Sequence, residues 1–143
     1  MNLKGFARKK RVFMKKCRVY DEHLQITRNI KYIDFVSEKL TYHSDEFEGR
    51  EGQISIDIIR NLDEVSIMWS TGIKDRNGVE IYEGDICAYY NGYCAEYYKV
   101  GWSDELLTWI LNGDSSFEFL EDYKNDEYLE VVGNIYKDQE WLT

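Results

Sequence analysis

Trp69-Ser70-Thr71-Gly72-Ile73-Lys74-Asp75-Arg76-Asn77-Gly78-Val79-Glu80-Ile81-Tyr82-Glu83-Gly84-Asp85-Ile86-Cys87 is the stretch whose reading decides the fold. Within it, Asp75-Arg76-Asn77-Gly78 places Asp at the first and Gly at the fourth position of a type I turn, closed by a left-handed Gly bulge. Ile73 on one side and Val79-Glu80-Ile81 on the other supply strand arms. Tyr82-Glu83-Gly84-Asp85 makes a second corner, and Asp85 to Tyr90 reads as a strand. Asn91-Gly92 then gives a strong hairpin signal, because a type I′ turn needs positive φ at both central residues. A two-residue turn there pairs Tyr90 with Tyr93, Ala88 with Ala95 and Ile86 with Tyr97. Cys87, Tyr89, Cys94, Glu96 and Tyr98 share the opposite face.

Working outward, Val100-Gly101-Trp102 and Leu106 to Leu111 continue the sheet, and Asn112-Gly113 ends it. Ser115 or Ser116 suits the cap of a short helix over 116–124, with Phe117 and Leu120 on one side. Leu129 to Tyr136 reads as a last strand, and Gln139 to Leu142 as a helical turn burying Trp141. Upstream, Val65, Ile67 and Trp69 alternate, as do Ile54, Ile56 and Ile58, which are expected inward. Residues 37–52 are polar and poorly periodic and read as a long loop, whereas Val19-Tyr20, Leu24 to Ile26 and Ile30 to Phe35 are short and β-rich. The expected fold is mainly β (α+β): a small SH3-like barrel or curled antiparallel sheet with one short helix, plus a divergent β-rich N-terminal part. The expected organisation is a basic arm over 1–18, an N-terminal β-rich segment over 19–64, and the principal β domain over 65–143.

The stretch Thr71 to Ile86 resembles, at nearly every position, the signature of the YopX family of phage and prophage proteins. Val131-Val132-Gly133-Asn134-Ile135-Tyr136 resembles the same family's second signature. The resemblance covers roughly residues 65–140, about half the chain. The family's usual opening, phenylalanine–arginine–alanine–tryptophan–aspartate, has no counterpart beyond Gly5-Phe6-Ala7-Arg8, and no Trp precedes Trp69. The resemblance implies a phage or prophage origin, a role not tied to a known activity, and a tendency to oligomerise. The residues it singles out are Gly72, Asp75, Asn77, Gly78, Ile81, Tyr82, Gly84, Asp85, Gly133, Asn134, Ile135 and Tyr136. Their chemistry is that of turns and apolar anchors: glycines for backbone freedom, Asp and Asn for local hydrogen bonds, and no nucleophile beside a base.

At 143 residues with 43% hydrophobic and 15% aromatic content, the chain is long and apolar enough to bury a core without disulfides or metal. It has 12 Tyr and no Pro, so its corners rely on Gly and Asn. No apolar run approaches the roughly 20 residues of a membrane span, and the N-terminus lacks the apolar region of a signal peptide. Three Cys (Cys17, Cys87, Cys94) form no C-x-x-C pair. Reduced thiols in a cytoplasm are the expectation.

The net charge of −9 hides an asymmetry. Residues 1–18 hold Lys4, Arg8, Lys9, Lys10, Arg11, Lys15, Lys16 and Arg18 and no acid; the other 10 basic and all 27 acidic residues leave the body at −17. Such an arm can pair with its own body, dock head-to-tail on a neighbouring subunit, or bind nucleic acid independently of sequence. In the last case Arg8, Lys9, Lys10 and Arg11 are the phosphate partners. The aromatics Tyr89, Tyr90, Tyr93, Tyr97, Tyr98, Trp102 and Trp109 lie among Asp85, Glu96, Asp104 and Glu105, a setting that repels phosphate and suits a core or a protein interface. His23 and His43 lack metal-site spacing, so no metal or cofactor is expected. Carboxylate pairs such as Glu83 with Asp85 and Asp104 with Glu105 leave a Mg²⁺-dependent hydrolase as the enzymatic alternative. The leading expectation is a non-enzymatic, homo-oligomeric accessory protein that works by macromolecular binding.

Overall fold

A computed structural model of the chain describes residues 16–44 and 56–142. Its strands are β1 (Cys17–Asp21), β2 (Ile26–Asp34), β3 (Lys39–His43), β4 (Asp57–Asn61), β5 (Val65–Lys74), β6 (Glu80–Tyr82), β7 (Asp85–Tyr90), β8 (Ala95–Ser103), β9 (Thr108–Asn112), β10 (Phe117–Phe119) and β11 (Leu129–Asn134). They form two antiparallel sheets, ordered β4-β3-β2-β1-β5-β6 and β10-β9-β8-β7-β11. The mainly β expectation holds, but among the described residues no barrel closes. The reason lies at the corner between β6 and β7. Gly84, at φ +85°, turns the chain out of the first sheet and into the second. Its N–H donates to Val100 of β8 and its carbonyl accepts the Ile135 N–H, so the strand run splits there.

The short helix expected over 116–124 is instead β10 followed by one 3-10 turn, Leu120–Tyr123. Cross-strand pairing of Phe117 with Asn112 and of Phe119 with Ile110 outcompetes the cap, and Leu120 drops into the core. Two further 3-10 turns, Leu62–Glu64 and Gln139–Leu142, complete the helical content of the described residues. Trp141 is not buried in the last turn; its ring lies 5.1 Å from that of Tyr97 on an exposed surface.

Residues 37–52, read as loop, contain β3, whose Leu40 and Tyr42 are fully buried. Its polar flanks hid it, but it is central, paired on one side with β2 and on the other with β4. The strand expected around Ile54 to Ile58 runs from Asp57 to Asn61. Ile58 packs inward opposite Tyr42, Ile56 is exposed, and Ile54 lies outside the described residues.

The Asn91-Gly92 hairpin forms with a longer loop. Tyr90 pairs with Ala95, Ala88 with Tyr97 and Ile86 with Lys99, two residues out from the expected register. Asn91 Oδ1 accepts the N–H groups of Tyr93 and Cys94, which stabilises this wider turn. Because strand faces repeat every two residues, the slip leaves each side chain on its expected face.

One core lies against the five-stranded sheet, around Ile73, Ile81, Cys87, Val100, Leu111, Leu120 and Leu129. A second sits in the curl of the six-stranded sheet around Val19, Leu40 and Tyr42. A third cluster, Tyr20, Met68 and Tyr82 with Tyr136 against it, joins the two sheets. β5 pairs with β1, so the six-stranded sheet draws on both sides of the 64/65 division read from the sequence. Of the basic arm, Lys16 and Arg18 are described; Arg8, Lys9, Lys10 and Arg11 lie outside the described residues.

Candidate functional site

The signature residues build a joint, not a cleft. Asp75 is buried, and its Oδ1 accepts the N–H groups of Asn77 and Val79, each at 2.9 Å, while Oδ2 accepts the N–H of Val131 on β11 at 3.0 Å. The turn therefore closes as expected, with the Gly78 N–H on the Asp75 carbonyl and Gly78 at φ +78°. Asn77 reaches Glu130 at 3.2 Å, so the turn is tied twice to β11. Gly72 donates to Ser70 Oγ at the irregular end of β5, and Ile81 is fully buried.

At the second corner Asp85 is completely buried. It accepts the Tyr82 N–H and pairs with the Arg18 guanidinium from β1, whose carbon sits 4.2 Å from the Tyr82 ring centroid. Burial pushes the Asp85 carboxyl up to about 6, against the pull of Arg18 and the Tyr82 N–H. The C-terminal signature closes the joint. Tyr136 stacks on Tyr20 at 4.9 Å, and Asn134 Oδ1 accepts the N–H groups of Tyr136 and Lys137. Gly133 sits where an added Cβ would fall 2.5 Å from the Asp138 carboxylate. The structure brings the two signatures together, and the geometry gives these residues a holding role.

A second polar cluster was not anticipated. Asp21, fully buried, accepts the Tyr42 hydroxyl, Arg60 Nε at 2.7 Å and the His23 N–H at 2.9 Å. Burial pushes its carboxyl up, but the Tyr42, Arg60 and His23 bonds outweigh it and hold it below the usual range. Burial and the Asp21 charge raise the Tyr42 phenol. Only the tertiary arrangement, which brings Tyr42 of β3 and Arg60 of β4 to Asp21 at the end of β1, assembles it, so no local motif reveals it.

The expected carboxylate pairs are not presented as a metal cradle. Asp85 is buried against Arg18, and Asp104 accepts the Trp102 indole N–H at 3.1 Å. Among the described residues no three His, Cys, Asp or Glu side chains are grouped to hold an ion. Cys87 is buried opposite Tyr98, Cys94 is exposed in the hairpin loop, and the three cysteines form no disulfide among the described residues.

An apolar concavity lies elsewhere, beside the start of β1. That strand begins at Cys17, while β2 and β5 run on past it, and the last rung is the Ser70 N–H on the Lys16 carbonyl at 2.8 Å. Beyond it opens a groove of about 630 Å³ walled by Ile30 to Ile33 and Phe35 on one side and by Trp69, Glu80 and Tyr82 on the other. Glu80 is held below its usual range: burial pushes it up, and bonds from Ser70 Oγ and the Tyr82 hydroxyl outweigh this.

An open, two-sheet antiparallel protein with a buried signature joint is the class this geometry defines. The chain belongs to the YopX family: the family model described as YopX protein matches residues 9–143, well beyond the part covered by the two signatures. Among solved structures, that titled "Crystal structure of protein EF1440 from Enterococcus faecalis" is similar, with 23% identity, a TM-score of 0.63, and coverage of 91% of this chain and 99% of that one. At that identity the likeness speaks for the fold. No match was found among curated proteins.

Proposed function

We propose that this is a non-catalytic phage or prophage accessory protein that acts by binding another macromolecule in the cytoplasm of its bacterial host. The observation that carries the reading is how the side chains are used. The signature carboxylates are engaged by their own chain, Asp75 by three backbone N–H groups and Asp85 by Arg18. Large aromatic side chains, in contrast, stand on the surface, with Phe35 69% and Tyr93 99% exposed. Exposed aromatics of this kind mark interaction surfaces. No helix among the described residues is long and apolar enough to cross a membrane.

The test is a calorimetric titration of the full chain with Mn²⁺. No stoichiometric uptake is expected. One ion per chain, abolished by Asp104→Asn with Glu105→Gln or by Asp85→Asn with Glu83→Gln, would establish the hydrolase alternative instead. The binding role includes self-association, with the basic segment of one copy lying on the acidic face of the next.

A further inference from the structure

β8 lies inside the five-stranded sheet, yet β9 pairs with it only from Lys99 to Ser103. At Gly113 the chain turns away, and the Gly113 N–H closes that turn on the Ser116 carbonyl at 2.8 Å. Among the described residues, Ala95 to Tyr98 therefore have a strand partner on the β7 side alone. The Asn91 N–H donates to the Cys94 carbonyl, which fixes the alternation along β8. Backbone groups of Glu96 and Tyr98 face β7, and those of Ala95 and Tyr97 face the open side. A cavity of about 390 Å³ occupies that side, between the 113–116 turn and the last 3-10 turn.

Two kinds of group wall it. The Tyr97 and Trp141 rings, with centroids 5.1 Å apart, form an aromatic side. Glu96 and Asp114 supply carboxylates, and among the described residues no Lys or Arg lines the cavity. Glu96 accepts from the Tyr98 hydroxyl at 2.6 Å and from Asn91 Nδ2 at 3.4 Å, neutral donors that leave its charge in place. Asp114 is exposed and has no ion pair among the described residues. The surrounding sequence has the same sign: from Asn77 to Tyr136 there are 13 acids against Lys99 and Lys124, and Lys124 lies against Glu121.

We propose that this cavity receives an extended, basic segment of a partner protein, which adds a short strand beside Ala95 to Tyr98. This deepens the binding role proposed above, on which it rests, by naming the partner's chemistry and the surface. An open strand edge offers N–H and C=O groups to an added chain. Because faces alternate along a strand, residues opposite Tyr97 and opposite Glu96 point to different sides. A segment alternating apolar and basic residues thus sets an apolar side chain against Tyr97 and Trp141, and the next Arg or Lys toward the carboxylates. The acidic lining repels nucleic acid and acidic peptides. A second copy's β8 brings the same Glu96 to the edge, and like charges across a strand pair are destabilising.

The experiment is fluorescence anisotropy of a labelled, end-blocked peptide alternating Val and Arg, about six residues long, an ordinary strand length. The full chain is titrated at about 150 mM salt, where distant surface charges are screened. Saturable binding is expected, with slowed amide exchange at Ala95 and Tyr97. N-methylation of the Val residues keeps the charge, removes the strand hydrogen bonds, and should cost about tenfold or more in affinity. Glu96→Gln with Asp114→Asn should also cost about tenfold, with an unchanged urea midpoint. Asp114→Asn alone leaves the Tyr98 contact of Glu96 intact and should cost about threefold if the double variant is unstable.

No saturable binding at this salt overturns the site. So does undiminished affinity for the N-methylated peptide or in Asp114→Asn, since either leaves only general attraction to an acidic body. Tighter binding of the peptide with Glu in place of Arg would assign the cavity to acidic segments instead. A gain in affinity on replacing Arg8, Lys9, Lys10 and Arg11 with Gln would make the chain's own basic segment the occupant and overturn the outside partner. Each of these failures is separate from the Mn²⁺ titration, which alone bears on whether the protein binds or catalyses.

Discussion

At the scale of single residues, two buried carboxylates do the holding. Asp75→Ala leaves the N–H groups of Asn77, Val79 and Val131 without their acceptor. At roughly 1 kcal/mol for each, the expected loss is about 2–4 kcal/mol, read from urea denaturation. Asp85 acts through pH. Its folded value of about 6 lies above the ordinary 3.8, so between those values the folded chain binds more protons than the unfolded one. The stability it contributes is complete below the lower value and is lost as pH rises through the higher. Wild type should therefore lose about 3 kcal/mol relative to Asp85→Asn between about pH 4 and about pH 7. Asp21 and Glu80, held below their usual values, act in the opposite sense, contributing stability that is lost as pH falls. They are common to both proteins, so comparing the two denaturation curves isolates Asp85. A difference independent of pH would show that Arg18 compensates burial fully.

At the scale of elements, Gly84 is the position where the strand run becomes two sheets. An added methyl there would meet the Tyr136 ring at 3.3 Å, on a backbone at φ +85° that L side chains rarely adopt. Gly84→Ala should cost about 1–3 kcal/mol from the conformation alone, and more if Tyr136 shifts off Tyr20. The readout is the thermal midpoint, together with amide exchange at Ile135, whose N–H binds the Gly84 carbonyl. Elements also show where local reading stops. The Asp75–Gly78 turn and the β7–β8 hairpin were legible, because Asn, Asp and Gly carry their geometry with them. The hairpin register was not, since Asn91 can cap a four-residue loop as well as enter a two-residue turn. β10 was misread because Phe117 and Phe119 suit a helix face and a strand face equally, and only the partner β9 decides between them.

At the scale of the whole molecule, charge is unevenly divided between the first 18 residues and the rest. If the basic segment of one copy lies on the acidic face of the next, light scattering should show an oligomer well above 17.1 kDa at moderate salt. It should dissociate at high salt and on replacing Arg8, Lys9, Lys10 and Arg11 with Gln. A salt-insensitive monomer in both proteins would refute the assembly, and an oligomer unchanged by the substitutions would discard the segment as its cause.

The sequence by itself determined the family, the β character and the signature turns, because those rest on turn chemistry and period-two alternation carried within short stretches. Asp75, Gly78 and Gly84 announce their roles through neighbours a few residues away. Tertiary structure alone decided that the strands open into two sheets, that Leu40 and Tyr42 are core, and that Asp21 gathers Tyr42 and Arg60 around a buried charge. It alone also brought Tyr32 and Phe35 into one groove with Trp69 and Lys16. The physical reason is common to all of these: each depends on which strands pair and where β1 begins between its longer neighbours. Such long-range pairings are set by the summed burial of the whole chain, which no local pattern encodes.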